Sequence, residues 1–180
     1  DVNNNPQNPV INFRSFGADK LNVTAKGLAY MKGLESEHII ATAKHFPGHG
    51  DTNVDSHHDL PIITHQKSRL SDIELYPFKS LIGHGLPAIM TAHLNIPALE
   101  PIEGLASTFS HNIVTNLLKK EMHFEGLTFT DAMEMKGAIK NFPKGEAMLK
   151  ALLAGNDILE TFIDVPETVE TLKAAVKNGQ

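Results

Sequence analysis

Apolar positions along this chain follow two patterns: short continuous runs that suit buried parallel strands, and three-to-four-residue spacings that suit helices. Polar residues crowd the joints between them. The run Ile39, Ile40, Ala41 and Ala43 predicts a strand that ends at Lys44. Before it, Leu21, Ala25, Leu28 and Met31 fall on one face of a helix expected over residues 19–34, with Gly33 near its end. After it, Ser71 and Glu74 have capping-box spacing, and Ile73, Phe78, Leu81 and Ile82 form the stripe of a second helix ending near Gly83 and Gly85. Residues 87–94 read as a strand with Thr91, Ala92 and His93 at its C-terminal end. Ser110 can cap a third helix carrying Ile113, Leu117 and Leu118, with Lys119 and Lys120 in the last turn, where cations suit the dipole. Gly126 opens a strand from Leu127 to Thr130, and Asp131 stands at its C-terminal end. A helix over residues 145–153 then leads through Gly155 to a short strand at 157–159, and a last helix starts near Pro166.

Strand and helix alternate, and each polar constellation follows a strand, which predicts an α/β fold with a parallel sheet and a site at its carboxyl edge. Periodicity leaves both a doubly wound sheet and a β/α barrel open. Residues 1–19 are rich in Asn, Pro and Gly and suit a loop leaving a strand whose body lies upstream of Asp1.

The densest polar stretch is Lys44 to Pro61, KHFPGHGDTNVDSHHDLP, with four histidines, three aspartates and a lysine in eighteen residues. Pro47, Gly48 and Gly50 argue against a helix there, so irregular backbone must place the histidines. Three readings compete. The loop can be a solvated surface, or a metal site drawing on His45, His49, Asp51, Asp55, His57 and His58. It can also hold a catalytic dyad in Asp55-Ser56-His57, because a carboxylate two residues from an imidazole can fix its tautomer and stabilise its charged form. The spacing matches no usual zinc signature and the chain has no Cys, so no metal and no cofactor is expected.

Composition narrows the classes. With 41% apolar residues in 180, the chain can bury one ordinary core as a single segment, residues 1–180. A net charge of −5 argues against a nucleic-acid partner, and no apolar run is long enough to cross a bilayer. The lack of Cys assigns no compartment, because a cysteine-free chain is compatible with both reducing and oxidising surroundings. The opening Asp1-Val2-Asn3 has neither an initiator Met nor a signal pattern and reads as a piece of something longer.

The run from Lys44 to Pro61 resembles the loop of the β-N-acetylglucosaminidases of glycoside hydrolase family 3, which carry KHFPGHGDT, then DSH, then LP. Phe129-Thr130-Asp131-Ala132-Met133-Glu134-Met135 resembles the strand end that carries that family's nucleophile, and Arg14 to Gly17 its Arg-Ser-Phe-Gly loop. The resemblance implies a partial TIM (β/α)8 barrel, roughly strands five to eight with the end of strand four. It implies Asp131 as nucleophile, His57 as acid/base and Asp55 as its orienting partner. Arg14, Lys44 and His45 would touch sugar hydroxyls, and His93 is a further candidate, weighed against a histidine satisfied inside the core. The expected partner is a carbohydrate, N-acetylglucosamine at the end of a peptidoglycan fragment or chitin oligomer. A partial barrel is also expected to pair with another copy of itself and to be inactive alone. Two other functions stay open, a sugar-binding fragment without turnover and a metal-dependent hydrolase built on the histidine cluster.

Overall fold

A computed structural model describes residues 1–53, 59–139, 142, 145–160 and 164–180 of the chain. Helix α1 (Lys20–Ser36) precedes strand β1 (Thr42–Phe46). Helices α2 (Lys67–Asp72) and α3 (Leu75–Ile82) precede β2 (Ala88–Thr91), and a π-helical segment (Asn112–Glu121) precedes β3 (Leu127–Thr130). Helices α4 (Lys136–Ile139), α5 (Glu146–Ala154) and α6 (Val165–Lys177) complete the order. The strands form a parallel sheet in the order β1-β2-β3, as the alternating pattern predicts. Phe46 pairs with Thr91 and Thr91 with Thr130, so the last residues of all three strands share one level. Whatever follows them in sequence meets at one edge of the sheet.

Helices cover the sheet through a core in which the Phe46 and Phe78 rings meet edge-on at 5.3 Å, with Ile89, Ile113 and Leu118 around them. A second cluster joins Phe109 and Met133 to Met148 and Ala151 of α5. Between the strands and these helices sits Asn156, fully hydrogen-bonded though buried. Its amide nitrogen donates to the carbonyls of Thr108 and Ala151, and its oxygen accepts from the Thr91 hydroxyl.

Four expectations are corrected by local chemistry. Ile39 and Ile40 are exposed, at 53% and 60%, and β1 starts only at Thr42. Ile39 is consumed in closing α1: its N–H donates to Leu34 O while His38 adopts φ 59°, a helix-terminating turn. The buried face of α1 is Val23, Thr24 and Met31, with Leu21 exposed. Thr24 can be buried because its hydroxyl donates to Lys20 O, 2.6 Å away. Ser71 lies inside α2 and caps nothing, whereas the buried Glu74 carboxylate accepts from Arg69 Nη1 at 2.6 Å through each oxygen. The strand expected at 157–159 contributes one parallel bridge, Ile158 to Phe129. Its backbone still bonds to β3, Ile158 N to Thr128 O and Thr130 N to Ile158 O, both at 3.0 Å, and side chains add to that pairing: Asp157 takes the Thr128 N–H and the Thr130 hydroxyl takes the Glu160 N–H.

Asp157 accordingly anchors β3. It accepts from Thr128 N (2.8 Å), the Thr128 hydroxyl (2.6 Å) and Lys119 Nζ (2.9 Å). Partial burial pushes its pKa up, but these donors outweigh it and hold the carboxyl below the usual range. Asp157→Ala would orphan the N–H of the fully buried Thr128, so we expect a loss of about 2 kcal/mol in denaturant unfolding. An unchanged midpoint would show that water replaces the carboxylate at no cost.

Candidate active site

The level register of the strand ends sets the site. After Phe46, β1 turns into Pro47; after Thr91, β2 continues to Ala92 and His93; after Thr130, β3 ends on Asp131. Two backbone bonds tie these exits together, Ala92 N to Phe46 O at 2.8 Å and Asp131 N to Thr91 O at 2.9 Å. Asp131 is half-buried, and its Oδ1 accepts from Ala132 N at 2.9 Å.

His45 and His93 lie within electrostatic reach of Asp131. His93 has no exposed surface. Its Nε2 lies 3.2 Å from Ala132 O and its Nδ1 2.9 Å from the Thr108 hydroxyl, so both ring nitrogens are engaged within the protein. His45 is buried beside Asp1, with Nδ1 2.7 Å from Asp1 Oδ2. The other Asp1 oxygen accepts from the backbone N–H groups of His45 (3.1 Å) and His49 (2.7 Å).

The N-terminal loop secures the first half of the histidine-rich stretch. Asn8 Nδ2 donates to His49 O at 2.7 Å and Asn5 Nδ2 to Thr52 O at 3.1 Å. Gly50 lets the two segments touch, because a Cβ there would stand 1.8 Å from Val2 O. His49 in turn has Nδ1 2.9 Å from the Thr52 hydroxyl.

Arg14 and Lys44 are exposed and, with Asp1, line a cavity of ≈ 460 Å³ between α1, β1 and α3. Arg14 ends a short 3-10 turn (Asn12–Arg14) and donates to Val10 O at 3.3 Å. Asp55 and His57 lie outside the described residues, and so does His58. Of the six residues offered for a metal, only Asp51 enters a cluster with metal-like spacing among the described residues, with His65 and Glu74. That cluster already has its cation, because Arg69 bridges Glu74 (2.6 Å) and Asp51 (3.8 Å).

Burial is the largest influence on both His45 and His93 and pushes each pKa below the ordinary histidine range. Asp131 works the other way at both, and Lys44 and Arg14 reinforce the depression at His45. Both rings are therefore neutral at pH 7, and neither gives Asp131 an imidazolium partner. A folded-state pKa below the unfolded value of about 6.5 means that the unfolded chain takes up protons the folded chain refuses. The stabilisation is complete above about pH 6.5 and is lost as the pH falls toward the folded pKa, at up to about 1.4 kcal/mol per pH unit for each ring. Thermal unfolding followed from about pH 8 to about pH 5 should show Tm declining below 6.5. A flat profile would mean the rings titrate normally.

Sequence reasoning missed Asp1, Thr108 and Asn156. Each acts through contacts to residues far away in sequence, for which no local pattern is a signal.

The sequence model of the glycosyl hydrolase family 3 N-terminal domain matches residues 1–180. Beta-hexosaminidase A of Pseudoalteromonas piscicida is 42% identical over 168 residues, 88% of this chain and 28% of that protein. A solved family 3 β-N-acetylglucosaminidase from Paenibacillus sp. str. FPU-7 superposes with a TM-score of 0.95 at 42% identity, over 99% of this chain and 34% of that one. The β-glucoside phosphorylase BglX superposes with a TM-score of 0.94 at 27% identity, again over 99% of this chain and 34% of that one. The chain thus spans about a third of the length of these relatives.

Proposed function

For a chain that belongs to glycosyl hydrolase family 3, we propose a retaining glycosidase that removes terminal β-linked N-acetylglucosamine from peptidoglycan fragments or chitin oligomers. The observation that carries this reading is Asp131, a half-buried carboxylate at the edge where the sheet's strands end, held through one oxygen and flanked by two buried neutral histidines. The parallel sheet is read as part of a (β/α)8 barrel, roughly strands five to eight with the end of strand four.

Asp131 attacks the anomeric carbon, and the bond from that carbon to the departing oxygen breaks as His57 protonates that oxygen. Water, losing a proton to His57, then displaces Asp131 and releases the sugar with its original configuration. Asp55 holds the His57 ring and stabilises the imidazolium between proton transfers. Arg14, Lys44 and His45 supply polar contacts to sugar hydroxyls. His93, whose nitrogens are both occupied, acts on the site through Ala132 O, next to the nucleophile.

An aryl β-N-acetylglucosaminide supplied to the protein that carries this chain should be cleaved, with the β-anomer as first product by proton NMR. Binding without cleavage would favour the sugar-binding reading, loss of activity on chelation the metal-dependent one, and an α-anomer would exclude Asp131 as a covalent nucleophile. A neutral imidazole in place of a glutamate also leaves less charge to repel an anionic acceptor. Rising phosphate should therefore divert the sugar from free N-acetylglucosamine to its 1-phosphate with retained configuration. If only free sugar forms and His57→Glu behaves alike, the electrostatic argument fails.

A further inference from the structure

We propose that Asp1 is the positioning residue for His45, fixing the ring with Nδ1–H directed at its carboxylate so that Nε2 is left as a hydrogen-bond acceptor for a ligand hydroxyl. The contacts are specific. Asp1 Oδ2 lies 2.7 Å from His45 Nδ1, and the two side chains are only 6% and 5% exposed. Asp1 Oδ1 holds the backbone N–H of His45 and, four residues on, that of His49. One carboxylate thus fixes the ring and both ends of the turn that bears it. Because it has only acceptor oxygens, the neutral ring must turn its N–H toward Asp1. Among the described residues Nε2 has no hydrogen-bond partner. A neutral donor such as a hydroxyl satisfies that lone pair by donating its proton, whereas an ammonium placed beside Lys44 and Arg14 would meet two cations already close by.

The identity of the ligand, a sugar hydroxyl, rests on the glycosidase reading above, but the tautomer does not. Side-chain 15N NMR of His45 in the protein at pH 7 should show a protonated Nδ1 and a bare Nε2. Asp1→Asn presents an amide N–H to one of the three donors and should populate the opposite tautomer. With an aryl β-N-acetylglucosaminide it should lower kcat/KM by about tenfold to a hundredfold, the range expected for one hydrogen bond to a charged group, mostly through KM. Asp1→Glu, which keeps the carboxylate, should restore the Nδ1–H tautomer and part of the loss. A wild-type ring protonated on Nε2 would overturn the proposal even if Asp1→Asn fails to fold. So would an Asp1→Asn protein with the wild-type tautomer and unchanged kcat/KM. Either result leaves the glycosidase reading standing, whereas an inactive wild-type protein with the expected tautomer would defeat that reading alone.

Discussion

Replacing Asp131 with asparagine in the protein that carries this chain should lower kcat by about 10⁴-fold or more while the fold persists. The scale is that of removing a group that forms the covalent bond, for which residual turnover comes only from binding and the surrounding dipoles. Persistence of the fold follows from the contacts. Asp131 is half-buried, and its carboxylate accepts one backbone hydrogen bond, from Ala132 N at 2.9 Å, which an asparagine oxygen can also accept. Its neighbours His45 and His93 are neutral, so no buried cation is left uncompensated by the change. Circular dichroism and Tm should match the wild type within a few degrees. A variant with an ordinary rate would end the nucleophile assignment. A variant that unfolds would instead recast Asp131 as a structural strand-end residue.

His57→Ala should cost about 10²- to 10⁴-fold on a substrate with a poor leaving group, the usual contribution of a positioned acid/base. On an activated aryl glycoside the first step needs little protonation, so the deficit there should be much smaller. The comparison is informative because a residue that only positioned the sugar would hurt both substrates equally. Equal deficits would therefore remove His57 from proton transfer and leave Asp131 to be served by another acid.

What the sequence disclosed is uneven, for physical reasons. Strand β3 and the location of Asp131 were legible because Gly126 and the run Leu127 to Thr130 are local signals, and Gly126 is required where a Cβ would stand 2.3 Å from Pro87 O. Helices α5 and α6 were legible from Gly155, which closes α5 at φ 112°, and from Pro166 in the first turn after the Asp164 cap. On α1 Met31 is buried and Leu28 packs against the core as expected, but Leu21 and Ala25 are exposed and Thr24 is buried, because Thr24 counts as polar until its hydroxyl is seen to bond back to Lys20 O. Ile39 was misread because hydrophobicity does not tell a strand residue from one that closes a helix. Glu74 fitted a cap by spacing, yet a guanidinium five residues earlier competes better for its carboxylate than a backbone N–H does. Asp1 was the hardest. Its partners lie 44 and 48 residues away, where only the folded backbone shows the contact. His93 showed as a candidate from its strand-end position, but that position could not reveal that Thr108 and Ala132 occupy both ring nitrogens.

The nucleophile assignment is tested most directly by trapping. The protein would be incubated with a fluorinated N-acetylglucosaminyl fluoride, whose good leaving group speeds formation of the glycosyl intermediate and whose ring fluorine slows its breakdown. The adduct would then be located by intact-mass and peptide mass spectrometry. The result expected is one sugar per chain on the peptide containing Asp131, released again on dilution with return of activity. A sugar on another carboxylate, or no adduct together with an inverted product, would contradict a glycosyl-Asp131 intermediate.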